Sequence, residues 1–129
     1  MHWKTRVLQV SSMPAGAALS YGRRFVTERE SRIAALPIGY ADGLHRGLSN
    51  KMSVLVRGQR ARQVGRICMD LTLIDVTNIP GVEEGDEVVL FGRQGDALLP
   101  VDEMAAHADT LGYEILCHVG KRVPRVIKG

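Results

Sequence analysis

A chain of 129 residues with 45% hydrophobic and 24% charged residues has the size and composition of one globular domain. The net charge is only +3 and the basic residues are scattered, so the sequence permits an anionic ligand or an acidic partner but does not argue for nucleic acid. No apolar run approaches the roughly 20 residues needed to cross a bilayer, and the first residues are too polar for a signal peptide. We therefore expect a cytoplasmic protein with no membrane partner.

The cysteines and histidines do not predict a metal site. Cys68 and Cys117 lie far apart and match no metal spacing, so free thiols are expected rather than a disulfide. The four histidines form no cluster with ligand spacing.

The first half of the chain predicts short strands separated by turns that contain glycine or proline. An edge strand is expected over Lys4–Ser12, and a short strand leads into Ser20-Tyr21-Gly22. An apolar strand covers Arg32–Ile38. It is followed by Gly39–Gly43, where two glycines bracket a tyrosine and an aspartate, which predicts a loop of special geometry.

The second half predicts a hairpin and a central strand. Residues 54–64 form the hairpin, with a turn at Gly58. The central strand is expected over Gly65–Val76, because apolar and polar residues alternate there with period 2. Strict alternation puts Ile67, Met69, Leu71 and Leu73 on one face and Arg66, Cys68, Asp70 and Thr72 on the other.

A buried strand is then expected over 87–91, short helices over 101–108 and 113–119, and a final strand over 122–127. The sequence therefore predicts a mainly β fold: an antiparallel barrel or sandwich-like domain with two short C-terminal helices.

Two tyrosines are the first candidates for chemistry. The phenol of Tyr21 has an ordinary pKa near 10, so it could act as a base only if nearby arginines lowered that pKa. The alternative is a buried aromatic whose hydroxyl bonds to the backbone, and the same two interpretations apply to Tyr40. Cys68 has no histidine at a recognisable spacing, so it is not interpreted as a nucleophile. Arg66 and Asp70 could form a site wall or simply an ion pair.

Four motifs occur here in the order and spacing found in the C-terminal β-domain of alanine racemases, and the resemblance covers essentially the whole chain. They are Ser20-Tyr21-Gly22, Ile38-Gly39-Tyr40-Ala41-Asp42-Gly43, Val64-Gly65-Arg66-Ile67-Cys68-Met69-Asp70 and Arg122-Val123-Pro124-Arg125.

The resemblance implies that residues 1–129 are a C-terminal domain and that an N-terminal barrel binds the cofactor, pyridoxal 5'-phosphate. Such a barrel needs roughly 250 residues, more than this sequence of 129 can hold. In that family a homodimer interconverts L- and D-alanine for peptidoglycan, and the domain of one subunit completes the active site on the barrel of the other. The cofactor lysine serves one face of the substrate and a tyrosine serves the other.

By the same resemblance Tyr21 is the catalytic base. Met69 offers its backbone N–H to the substrate carboxylate, and Tyr40 lines the narrow entrance. Arg46 and Arg66 line the outer corridor, with Cys68 and Asp70 beside them in the wall. No residue of this chain is assigned to bind the cofactor.

Two features leave alternatives open. Lys121 stands just before Arg122-Val123-Pro124-Arg125, where some family members have an aromatic residue that reaches the cofactor phosphate. The absence of a barrel also allows a free-standing β-barrel binding module, and a racemase of broader amino-acid specificity is a closer alternative. Without the barrel, we expect the fragment alone to be inactive.

Overall fold

The computed structural model describes residues 2–16, 18–19, 25–44 and 48–107. The strands are β1 (Trp3–Arg6), β2 (Gln9–Met13), β3 (Ala18–Leu19), β4 (Phe25–Val26), β5 (Ser31–Leu36), β6 (Ser53–Val56), β7 (Gln59–Val64), β8 (Thr72–Asp75), β9 (Glu87–Gln94) and β10 (Ala97–Leu99). A short 3-10 turn, Tyr40–Asp42, and the helix α1, Val101–His107, complete the described elements. The predicted helix 113–119 and strand 122–127 lie outside the described residues.

Eight strands form one antiparallel sheet in the order β1-β9-β6-β7-β8-β5-β2, with β10 paired to β9. Strands β3 and β4 form a separate antiparallel pair. The mainly β, antiparallel fold predicted from the sequence is confirmed. Among the described residues, no helix is long and apolar enough to cross a membrane.

The sheet curls until its two ends nearly meet, although its ladder stays open. Strands β1 and β2 occupy opposite ends of the sheet, yet only Val7 and Leu8 separate them along the chain. The Val7 N–H donates to the Asp86 carbonyl at 2.9 Å, and the Leu8 N–H donates to the Ala35 carbonyl at 2.8 Å. The continuous stretch β1–Val7–Leu8–β2 therefore pairs with β9 at one end of the sheet and with β5 at the other, which gives the sheet its barrel-like shape.

The main core lies inside this curl. Alternating residues of β6 and β9 point into it, among them Val54, Val56, Val88 and Leu90. The intervening residues are covered as well, because β10 folds back and packs Leu99 against Leu55 and Val89. The tight turn between β6 and β7 has positive φ at Arg57 (50°) and Gly58 (73°), which a two-residue hairpin turn requires.

The prediction of one strand over Gly65–Val76 is wrong. Strand β7 ends at Val64 and β8 begins at Thr72, so residues 65–71 form an irregular connection, which we call the 65–71 segment. Its alternation fails too, because Ile67 is buried while Met69 and Leu71 are exposed. The physical reason is that the N–H groups of Gly65 and Ile67 donate to side chains of another loop, and the Cys68 N–H donates to the Leu71 carbonyl within the segment, so no neighbouring strand pairs with it.

Candidate functional site

The 65–71 segment is held on one side by a short polar turn. The Gly65 N–H donates to Asn50 Oδ1 at 2.6 Å, and the Ile67 N–H donates to Ser49 Oγ at 2.9 Å. Asn50 itself sits at φ 63°, a conformation that asparagine tolerates better than most residues. These side-chain acceptors replace the partner strand that the alternating sequence had suggested.

A buried glutamine, Gln63, stabilises the turn that carries Ser49 and Asn50. Gln63 is fully buried, and its Nε2 donates to the Val64 and Gly65 carbonyls, both at 2.9 Å. Its Oε1 accepts the Asn50 N–H at 2.6 Å. The side-chain amide thus uses both its donor and its acceptor groups, which is what makes a buried polar group tolerable.

The Gly39–Gly43 turn holds the other side of the segment. The Tyr40 N–H donates to the Cys68 carbonyl and the Ala41 N–H to the Met69 carbonyl, each at 3.0 Å. The two backbones are so close that a Cβ at Gly39 would lie 2.0 Å from the Cys68 oxygen. The predicted loop of special geometry is therefore confirmed, and glycine is required at this position for steric reasons.

Residues of the segment and the turn form one exposed wall. Tyr40 is 39% exposed, Met69 53% and Leu71 38%, which makes them three of the few large exposed apolar side chains among the described residues. Among the described residues, the Met69 N–H donates no hydrogen bond. An amide donor beside apolar side chains suits a small anionic ligand such as a carboxylate.

The other predicted wall residues lie on the same segment. Arg66 and Cys68 are half-buried and Asp70 is exposed. The Cys68 thiol lies 3.6 Å from the Arg66 carbonyl, a weak local contact. Five of the seven predicted site residues thus lie on two touching segments. Tyr21 and Arg46, like Lys121, fall outside the described residues.

Sequence reasoning missed the residues that hold the wall in place, namely Asp42, Ser49, Asn50 and Gln63. No group of three or more histidine, cysteine or acidic side chains with metal-site geometry occurs in the part of the chain that the structure describes. The polar groups brought together here instead bind backbone, so the arrangement is a braced wall that offers the Met69 N–H as a donor.

Residues 1–127 match the family model described as "Alanine racemase, C-terminal domain". The chain belongs to this family. It is 52% identical over 126 residues to the alanine racemase of Halothermothrix orenii, and the aligned region covers 98% of this chain and 33% of that protein. The resemblance inferred from the four motifs is therefore confirmed.

Solved structures agree with this assignment. The alanine racemase of a D-cycloserine-producing Streptomyces lavendulae superposes with a TM-score of 0.92 at 39% identity, over 99% of this chain and 33% of that one. The alanine racemase of Bartonella henselae with covalently bound pyridoxal phosphate gives 0.88 at 37% identity, over 95% and 33%. The chain thus spans about a third of the length of the curated relatives it matches.

Proposed function

We propose that this chain acts as the C-terminal domain of an alanine racemase, an isomerase that interconverts L- and D-alanine. The observation that carries the proposal is the match of residues 1–127 to the C-terminal domain family of these enzymes. The exposed wall formed by the 65–71 segment and the Gly39–Gly43 turn supports it, because that wall offers an amide donor of the kind an amino-acid carboxylate needs. None of the relatives reported above is a free-standing binding module.

In this proposal the substrate carboxylate accepts the Met69 N–H. The Tyr40 backbone adjoins the peptide that carries this donor, because its N–H donates to the Cys68 carbonyl, and we propose that the exposed Tyr40 ring stands at the entrance to the donor. The ring narrows the approach and excludes water and larger side chains. Arg66, with Arg46, adds positive charge that attracts a carboxylate to the entrance, while Cys68 and Asp70 complete the wall.

Inverting an α-carbon requires a proton to leave one face and another to arrive on the opposite face, so two bases are needed. Tyr21 is proposed as the base that takes the proton from L-alanine. Bound pyridoxal phosphate, as in the B. henselae relative, would stabilise the negative charge that develops on the carbon.

The described residues fit the substrate better than they fit this cofactor. A phosphate group typically takes several converging backbone N–H groups, often at a helix N-terminus, whereas this wall is an irregular segment that offers the Met69 N–H beside apolar side chains. We therefore propose that a barrel of another subunit in a homodimer holds the cofactor, and that residues 1–129 supply only the wall and the base. The assembly would work in the cytoplasm, where Cys68 stays reduced, and would supply D-alanine for peptidoglycan.

The direct test is a chimera in which this chain replaces the aligned C-terminal third of the H. orenii racemase. The chimera should convert L-alanine to D-alanine when loaded with pyridoxal phosphate. Tyr21→Phe should abolish exchange of the α-proton of L-alanine with deuterated water, and it should affect exchange from D-alanine far less. D-alanine exchange is thus an internal control for folding and cofactor loading.

Two results would count against the proposal. A folded, cofactor-loaded chimera that converts neither isomer would remove the assigned activity. Equal retention of both half-reactions in Tyr21→Phe would remove Tyr21 from the role of base.

A further inference from the structure

Asp42 is a buried carboxylate to which the proposed activity gives no role. Only 5% of the residue is exposed. Its Oδ2 accepts the Gly39 N–H at 3.1 Å, and its own N–H donates to the Gly39 carbonyl at 3.0 Å. A buried carboxylate is costly unless hydrogen bonds compensate for lost hydration, so this reciprocal pair closes the turn tightly.

The closed turn aims two amides at the 65–71 segment. The Tyr40 and Ala41 N–H groups donate to the carbonyls of Cys68 and Met69 at 3.0 Å. Holding two consecutive carbonyls fixes both the position and the tilt of the peptides that carry them.

The Cys68 carbonyl and the Met69 N–H belong to the same peptide group. That group is trans, since no described peptide bond is cis, and it is planar. Its N–H therefore points opposite to its carbonyl. When Tyr40 fixes the direction of the carbonyl, it also fixes the direction of the Met69 N–H, away from the turn. The bond to the carbonyl also polarises the amide and strengthens it as a donor.

We propose that Asp42 is a positioning residue that sets the direction of the Met69 N–H for an amino-acid carboxylate. The inference rests on the proposed function, because it assigns that amide to substrate binding. Asp42 acts through Gly39 and Tyr40 and does not touch the ligand. The carboxylate contact is the same before and during proton transfer, so its loss weakens binding without slowing the chemistry.

The kinetic test uses the chimera with Asp42→Ala and, as conservative variant, Asp42→Asn, whose amide oxygen can still accept the Gly39 N–H. Asp42→Ala should raise the KM for alanine at least about tenfold, which is the lower end of the loss expected for one hydrogen bond to a charged group. The kcat should stay within about threefold. Acetate, a competitor that is only a carboxylate, should lose affinity by the same factor. Asp42→Asn should restore most of the affinity.

Ser31→Ala is the matched control. Ser31 is also 5% exposed, and its Oγ donates to the Arg29 carbonyl at 2.9 Å; among the described residues this side chain makes no hydrogen bond to the turn or the 65–71 segment. It should lower stability without changing the KM. An unchanged KM in Asp42→Ala, or a kcat that falls in proportion, would overturn the positioning role.

A second readout needs no activity. In the ¹⁵N-labelled 129-residue chain, Asp42→Ala should shift the amide resonances of Gly39, Tyr40 and Met69 and speed hydrogen exchange at Tyr40, whereas Ser31→Ala should not. If Asp42→Ala does not fold, Asp42→Asn should show smaller shifts at the same three amides. An inactive wild-type chimera would refute the proposed function, while an unshifted Met69 amide would refute the role of Asp42.

Discussion

Replacing Gly39 with alanine tests the packing of the wall most directly. A Cβ at this position would lie 2.0 Å from the Cys68 oxygen and 2.5 Å from the Met69 oxygen. A carbon and a carbonyl oxygen need about 3.3 Å between them, so the two backbones would have to separate by about 1.3 Å. The backbone angles of Gly39, φ −159° and ψ −161°, are extended, so the cost comes from the contact and not from a left-handed conformation.

That separation would break the hydrogen bonds from Tyr40 and Ala41 to the segment, both now 3.0 Å long. At about 0.5–1.5 kcal/mol each, their loss lowers the free energy of unfolding by about 1–3 kcal/mol. For a domain of this size the melting temperature should fall by about 4–12 °C.

Thermal and urea unfolding followed by circular dichroism would measure the loss, with Gly85→Ala as control. Gly85 has φ +91° and no atom within 4 Å of an added Cβ, so that variant carries only backbone strain of about 1 kcal/mol. Gly39→Ala should be the more destabilising of the two. If it costs less than Gly85→Ala, the close contact between turn and segment does not exist as described.

Two further predictions concern stability. Gln63→Leu should lower the free energy of unfolding by about 2–4 kcal/mol, because the Asn50 N–H and the Val64 and Gly65 carbonyls lose their buried partner. A urea unfolding midpoint near that of the wild type would contradict this. The Arg57 guanidinium, 2.8 Å from Asp86 Oδ2, holds the pKa of Asp86 below its ordinary value of 3.8. The pair therefore stabilises the fold above pH 3.8, and this contribution is lost as the pH falls through the lowered pKa. Arg57→Ala should raise the pKa of Asp86 toward 3.8 and flatten the acid dependence, as a carboxyl titration by NMR would show.

Local signals were sufficient for much of the sheet. The hairpin of residues 54–64 was predicted because glycine at 58 permits the left-handed turn, and its strands were found at Ser53–Val56 and Gln59–Val64. The strand predicted over Arg32–Ile38 was found at Ser31–Leu36, and it is shorter because Pro37 has no N–H to extend the ladder. The strand predicted over 87–91 continues to Gln94, because the left-handed Gly92 (φ 119°) lies within the ladder and does not end it.

The 65–71 segment shows where local signals fail. Its alternating sequence is typical of a strand, and Ile67 is buried as predicted. The acceptors of the Gly65 and Ile67 N–H groups, however, are the side chains of Asn50 and Ser49, 15 and 18 residues earlier in the sequence. Periodicity reports which side chains prefer burial, but it does not reveal which acceptor a given N–H will find.

Both sides of the segment are held by the described parts of the connection between β5 and β6, residues 37–44 and 48–52. One arm of this connection donates backbone N–H groups, and the other supplies side-chain acceptors. The Gly65 and Ile67 N–H groups and the Cys68 and Met69 carbonyls thus have partners, and the Met69 N–H, opposite to the bonded Cys68 carbonyl, points away from the Gly39–Gly43 turn. A donor fixed in this way loses little conformational entropy when it binds a ligand, so an irregular segment on the surface can be as well ordered for recognition as a strand.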